Sequence, residues 1–361
     1  MKNKIYIFIF LSLTAILAVI FVPFHQKKVE VKDQKVSFNS FDQAQKIKEV
    51  CKKEKSTCYS SEFLTLAKSQ GYENSFNTLL EIQKIDPTTN DCHLIAHSIG
   101  RGAYERDPEN WKETVKKVDD SCYYGIFHGL IESYIFETGQ QLNKQTIENI
   151  CPFFTSPDCY HVMGHILILN EGGDLKNSLD SCNVIFDGEV SKLNDCMAGV
   201  FMEYQLPEGL YNHGLADKEA LDTNKRLPGF EKMCSSYKGD TKVMCWLEIA
   251  HSAVAVYNND IIKVFDECNK AGELRSIDLC LRHALQIVWA AKKYQLMDFV
   301  NFCGYNNKHD SNFERYCNDW VIGNSVFVLN AKKADILPFC EAIKNEYQSN
   351  CYQKVGKAVS S

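Results

Sequence analysis

Ile261-Ile262-Lys263-Val264-Phe265-Asp266-Glu267-Cys268, a loop, then Leu279-Cys280 and an apolar run to Trp289 is the stretch that decides the fold. Phe265 lies about one helical turn before Cys268 and marks the buried stripe of a first helix, A. Cys280 opens a second helix, B, so the two cysteines face each other across a hairpin turn. Working outward, the same plan recurs. Ile47, Leu179, Phe230, Val300 and Leu337 each precede a first cysteine by three or four residues. Nine of the sixteen cysteines head a B helix: Cys58, Cys92, Cys122, Cys159, Cys196, Cys245, Cys280, Cys317 and Cys351. They are spaced 30 to 37 residues apart, with one interval of 49. A fixed period of this length is the signature of stacked helical hairpins, which bury a continuous core only as an array.

The remaining seven cysteines, Cys51, Cys151, Cys182, Cys234, Cys268, Cys303 and Cys340, each lie shortly upstream of one of these nine. One local bridge per hairpin gives Cys51–Cys58, Cys151–Cys159, Cys182–Cys196, Cys234–Cys245, Cys268–Cys280, Cys303–Cys317 and Cys340–Cys351. In the chain-entropy model, each such loop stabilises by about 2–3 kcal/mol. Cys92 and Cys122 have no partner of this kind. They either bridge adjacent repeats or remain as thiols available to a metal. Cap-type residues precede several second cysteines (Asp91, Ser121, Asp158, Asp195, Asn350) and are expected to satisfy free amides at the start of helix B.

Composition fits an ordinary folded protein, with 45% hydrophobic and 24% charged residues, and the net charge of −6 gives no footprint for nucleic acid. Residues 5–24 form an apolar run behind Lys2 and Lys4, long enough to span a bilayer and without a small-residue cleavage site. Residues 1–24 therefore read as a signal-anchor or transmembrane helix, 25–40 as a polar linker, and 41–361 as the cysteine-rich helical-repeat domain. Disulfides persist outside the cytosol, so the expected location is membrane-anchored and extracytoplasmic, periplasmic or at the cell surface.

Histidine concentrates in the first part of helix B. His128, His165 and His251 each fall six residues after the second cysteine, and His97 falls five after Cys92. His93 and His97, and likewise His161 and His165, are four apart, which puts both rings of each pair on one helical face. This is the geometry of a two-histidine metal clamp. B helices packed side by side could bring His93, His97 and His128 into one site, or His161, His165 and His128 into another. Imidazole suits zinc, copper or iron, and spacing does not choose among them. Glu132, one turn beyond His128, is a candidate acid–base partner. The alternative is that these histidines are structural, each hydrogen-bonding a neighbouring carbonyl. The recurrence at His251 supports that alternative.

The long interval holds an insertion from Gln205 through His213 to Pro228-Gly229, read as a solvated loop or as a cover bringing His213 to the B-helix histidines. Tyr134, Phe136, Tyr204, Tyr257, Trp289 and Phe327 read as core between repeats. The sequence has no covalent-haem motif, no His-Glu-x-x-His helix, no phosphate loop and no nucleophile elbow.

The hairpins resemble, in general design, the cysteine-rich relatives of Sel1-like and tetratricopeptide repeats. The resemblance is architectural and carries no function over. The expected fold is all-α: a right-handed α-solenoid of about nine disulfide-stapled hairpins after an N-terminal transmembrane helix. The expected function is a binding scaffold for a protein or peptide partner. The alternative is a metal-binding or metal-dependent redox protein using the histidine cluster of the second to fourth repeats.

Overall fold

The computed structural model describes residues 38–359, apart from short stretches at 53–54, 87–91, 119–121, 123, 154–158, 293–295, 305–310 and 325–332. The apolar run at 5–24 lies outside the described residues. Among those described, no helix is long and apolar enough to cross a membrane.

The described residues are all-helical, with no strand. Their nineteen α-helices follow the A–B plan. The first three hairpins are α1 (Ser40–Val50) with α2 (Lys55–Gln70), α3 (Tyr72–Ile85) with α4 (His93–Arg106), and α5 (Trp111–Val115) with α6 (Gly125–Thr138). Then come α7 (Lys144–Ile150) with α8 (Cys159–Asn170), and α9 (Leu175–Ile185) with α10 (Val190–Gln205). The short α11 (Glu208–Asn212) is inserted before α12 (Thr223–Ser236) and α13 (Gly239–Val256). The last three hairpins are α14 (Ile261–Asn269) with α15 (Leu274–Lys292), α16 (Asp298–Gly304) with α17 (Ser311–Asn324), and α18 (Lys333–Ala342) with α19 (Asn345–Val359).

Each B helix packs on the next, so α2, α4, α6, α8, α10, α13, α15, α17 and α19 form an unbroken row. The apolar residues ahead of the first cysteines face inward: Ile47, Leu179, Phe230 and Phe265 are buried, and Val300 and Leu337 pack against the core. Tyr134, Phe136, Tyr204, Tyr257 and Trp289 also pack against it, and Phe327 lies outside the described residues.

Seven disulfides close individual hairpins. In the N-terminal half these are Cys51–Cys58, Cys151–Cys159 and Cys182–Cys196. Further along come Cys234–Cys245, Cys268–Cys280, Cys303–Cys317 and Cys340–Cys351. Each is the local pair that the spacing predicts. The eighth, Cys92–Cys122, joins two neighbouring hairpins, and no described cysteine is free. Of the two alternatives open for Cys92 and Cys122, the structure has the bridge between repeats, so neither sulfur is a thiol available to a metal.

Two of the expected caps, Asp195 and Asn350, are not where their helices begin. Helix α10 starts at Val190 and α19 at Asn345, so Asp195 and Asn350 sit inside their helices. Asp91, Ser121 and Asp158 lie outside the described residues. Side-chain capping falls instead on A helices. Asn39, Asn143, Asp174, Asp222 and Asp260 accept the amides of Asp42, Thr146, Asn177, Lys225 and Lys263, respectively.

Burial pushes the interior carboxyl of Asp195 up to about 6. The folded chain then holds a proton that the unfolded chain releases near pH 4, so this group's stability contribution is lost as pH rises from about 4 through 6. Asp195→Asn should therefore be more stable than the parent at pH 7–8 by about 1 kcal/mol, a value discounted for the half-exposed carboxyl. The difference should vanish at pH 4, as read from denaturant unfolding at both pH values.

Candidate metal centre

Glycine sets how closely the central B helices approach. On α4 and α6, a Cβ at Gly100 would overlap the carbonyl oxygen of Ile126, and one at Gly129 that of His97. On α8 and α10, Gly164 meets the Cys196 oxygen and Gly199 the His161 oxygen in the same way. Among the described residues, no glycine contact of this kind joins α6 to α8, and imidazoles occupy that interface. His128 stacks on His161 (centroids 5.7 Å apart, planes at 30°) and lies 5.3 Å from His165.

All five expected histidines come together in one cluster. His93 and His97 have centroids 4.6 Å apart, and each is 5.0 Å from His128. His97 is 5.9 Å from His165, which is 4.9 Å from His161. His93, His97, His128 and His165 are buried, and His161 is partly so. Burial, reinforced by the neighbouring rings, holds His93, His128 and His161 well below the ordinary imidazole value, so these rings are neutral at pH 7.

The ring nitrogens of the first three converge. His97 Nε2 lies 3.1 Å from His93 Nε2 and 3.1 Å from His128 Nδ1. Two nitrogens on one tetrahedral zinc ion are about 3.3 Å apart, given bonds of about 2.0–2.1 Å. The opposite edge of the His93 ring fixes its tautomer. His93 Nδ1 is 3.0 Å from the Cys122 carbonyl oxygen, which can only accept, so that nitrogen donates and Nε2 is bare. His97 Nδ1 faces Glu132 Oε1 at 3.4 Å. Burial raises the Glu132 carboxyl, and positive charge at the His97 position opposes burial and lowers it, so an ionised Glu132 goes with a cation beside it. His97 Nε2 meets the bare His93 nitrogen at 3.1 Å. A proton on His97 Nε2 would serve one neighbour, whereas a cation serves all three. Metal-bound histidines characteristically donate their other N–H to a carbonyl or carboxylate, as His93 does here.

The Cys92–Cys122 bridge helps hold this arrangement. Cys122 and Tyr124 adopt left-handed backbone conformations (φ 53° and 57°), which are unfavourable for non-glycine residues and bring the Cys122 oxygen to His93.

A second donor set adjoins the first. Glu132, His165 and Glu203 each offer an atom within 4.8 Å of the others. His165 Nδ1 donates to Glu203 Oε2 at 3.0 Å, and Glu203 Oε1 accepts the Leu210 amide at 2.9 Å. Glu132 and Glu203 are 3% and 4% exposed, and neither makes an ion pair with a described Lys or Arg. His128 Nε2 and His165 Nε2 are buried without hydrogen-bond partners among the described residues. A cavity of about 20 Å³, lined by these groups with Ser98, Arg101, Leu206 and Gly209, has room for about one water-sized ligand.

Two sequence expectations change here. Glu132 pairs with His97 of the neighbouring helix rather than with His128 on its own, because the close α4–α6 contact brings His97 beside it. His161 turns to Met202, whose Sδ lies 3.3 Å from Nε2, rather than completing a set with His165 and His128. The insertion after α10 reaches the centre through Gly209 and Leu210, while His213 stacks on Phe136 (4.7 Å). Glu203, Met202 and Gly209 were not expected from the sequence. One signal marks Met202: it falls six residues after Cys196, the position His128 and His165 hold in their own repeats.

Comparison with family models, with curated proteins and with solved structures finds no match to this chain.

A Cβ at Gly209 would collide with the Glu203 carboxylate. Gly209→Ala should therefore leave helix content intact and weaken metal binding about 10- to 100-fold, the usual effect of disturbing a ligand's support. Competition titration against a chelator measures this.

Proposed function

We propose that this protein is a transition-metal-binding protein whose centre lies among the B helices α4, α6, α8 and α10. The observation that carries the reading is the convergence of His93 Nε2 and His128 Nδ1 on His97 Nε2, each at 3.1 Å. His93, His97 and His128 would hold the ion, and Glu132, His165 and Glu203 supply the adjoining donors and negative charge. Three protein ligands leave a coordination position free, as in catalytic rather than closed structural sites. When bound, a zinc, copper or iron ion would supply Lewis-acid or redox chemistry at that position. The chain's own residues orient the ligands (Cys122 oxygen and Glu132), exclude bulk water (Leu206, Gly209) and place Arg101 at the cavity wall.

The row of B helices with A helices alongside supports a right-handed α-solenoid as the framework of this centre. Eight disulfides support an oxidising, extracytoplasmic compartment, with residues 5–24 as the proposed membrane anchor. Binding of a protein or peptide partner would be a further property of this framework. The buried histidines favour a metal over a partner as the primary ligand, since a partner could not reach them.

The test is elemental analysis of the full-length chain, produced in an oxidising compartment without chelator. At least one equivalent of zinc, copper or iron is expected, falling by about one equivalent in a folded His97→Ala/His128→Ala variant. A metal-free protein that takes up none of the three on titration would make the histidines structural and overturn the reading.

A further inference from the structure

Three residues of two later B helices repeat the logic of the centre with a different donor set. Glu248 and His251 lie on α13, and His283 on the neighbouring α15. Each offers a donor atom within 4.8 Å of the other two. Glu248 Oε2 is 4.0 Å from both His251 Nε2 and His283 Nε2, and the two rings meet edge to face with centroids 4.6 Å apart.

The carboxylate is the feature that requires explanation. Glu248 is 1% exposed, and neither of its oxygens has a hydrogen-bond partner among the described residues. Neither oxygen has a described Lys or Arg within ion-pair reach. A buried polar group left unpaired costs about 1–3 kcal/mol, and more when charged. His283 Nε2 is likewise buried and unpartnered, although its ring is 22% exposed and reaches the surface by its other edge. Burial raises the Glu248 carboxyl well above the usual range and lowers His251 and His283, so the metal-free site is a neutral acid between two neutral rings.

We propose that Glu248, His251 and His283 form a second metal site, separate from the first centre, for a divalent first-row transition ion. Two imidazoles and one carboxylate are a donor set that serves iron(II) and zinc with coordination positions left open. The 4.0 Å separations exceed by about 0.7 Å the ~3.3 Å edge of a tetrahedral zinc site, a gap that side-chain rotation closes. Binding displaces the carboxyl proton to solvent, as metal binding to a protonated ligand must. The partly exposed edge of His283 gives the ion its route in.

His251 also holds the place, six residues after the second cysteine, that His128 and His165 hold at the first centre. Glu248 lies three after Cys245, and His283 three after Cys280. The neighbouring helices thus carry their donors in matching register, and packing of α13 on α15 brings them together.

The experiment uses the full-length chain, stripped with chelator and loaded with cobalt(II), counted by elemental analysis and followed by its visible absorption. The proposal expects His97→Ala/His128→Ala protein to retain about one equivalent of cobalt(II). Adding Glu248→Gln to that background should lower the remaining affinity at least tenfold, and zinc should displace the cobalt signal. His283→Ala, at the exposed edge, should do the same and serves if Glu248→Gln does not fold. Wild-type protein whose only cobalt is sensitive to Glu248→Gln and indifferent to His97→Ala/His128→Ala would support this site and overturn the first. Cobalt uptake unaffected by both Glu248→Gln and His283→Ala, or absent from the His97→Ala/His128→Ala protein, would overturn it.

Discussion

The close backbone contact between α4 and α6 is the constraint on which the centre depends. Helix axes usually pack 8–10 Å apart, the distance being set by the side chains between them. Here glycines at 100, 125 and 129 remove those side chains, and the carbonyl oxygens of Ile126, His93 and His97 fill the space. The imidazoles at the edges of this contact, His97 from one helix and His128 from the other, then meet at 3.1 Å without bending either helix. The α8–α10 pair repeats the device through Gly164 and Gly199, bringing His165 to Glu203 at 3.0 Å. Between the two tight pairs, the gap across α6 and α8 is the width of two rings, and His128 and His161 fill it.

Such close contact depends on covalent help. A short hairpin with one buried face is marginal alone, and an array draws its stability from contacts between neighbours. Seven bridges tie helix A to helix B within a hairpin, which leaves spacing between hairpins to packing. The exception, Cys92–Cys122, crosses from one hairpin to the next at the point where His93 needs a fixed carbonyl. Its two hairpins lack a bridge of their own, so one covalent tie is moved from stabilising a hairpin to positioning a ligand.

The cysteine period made the helical hairpins legible, because a bridge across a turn constrains sequence at both ends. First cysteines such as Cys51, Cys151 and Cys340 could be paired by nearness alone, since each has one second cysteine within a short loop of it. The histidine register was legible for a similar reason: positions four apart on a helix share a face whatever the surroundings. Glu203, Glu248 and His283 were not legible. A glutamate on a B helix is ordinarily a solvated residue, and nothing local to these two shows that their faces are buried against neighbouring helices. That follows only from which helices pack together and how closely. The misplaced caps at Asp195 and Asn350 have the same origin, since a cysteine marks where a helix is tethered and need not mark where it begins.

The charge balance of the interior bears on what the array is built to hold. Glu132 is buried, and Glu203 is buried beside it; their polar neighbours are histidines, one backbone amide and Arg101 at the wall of the same cavity, which makes no ion pair with either. Transfer of an isolated carboxylate out of water is costly enough that folded proteins pair it, neutralise it or bind a cation there. Neutralisation is the outcome at Glu248 in the metal-free protein, where no ring lies within hydrogen-bond distance and burial acts alone. At Glu132, positive charge at the His97 position opposes burial and favours the ionised carboxylate. A triad of converging imidazole nitrogens and a buried carboxylate, placed side by side by close glycine contacts, are one arrangement with a single economical solution: a divalent cation bound where the nitrogens already converge.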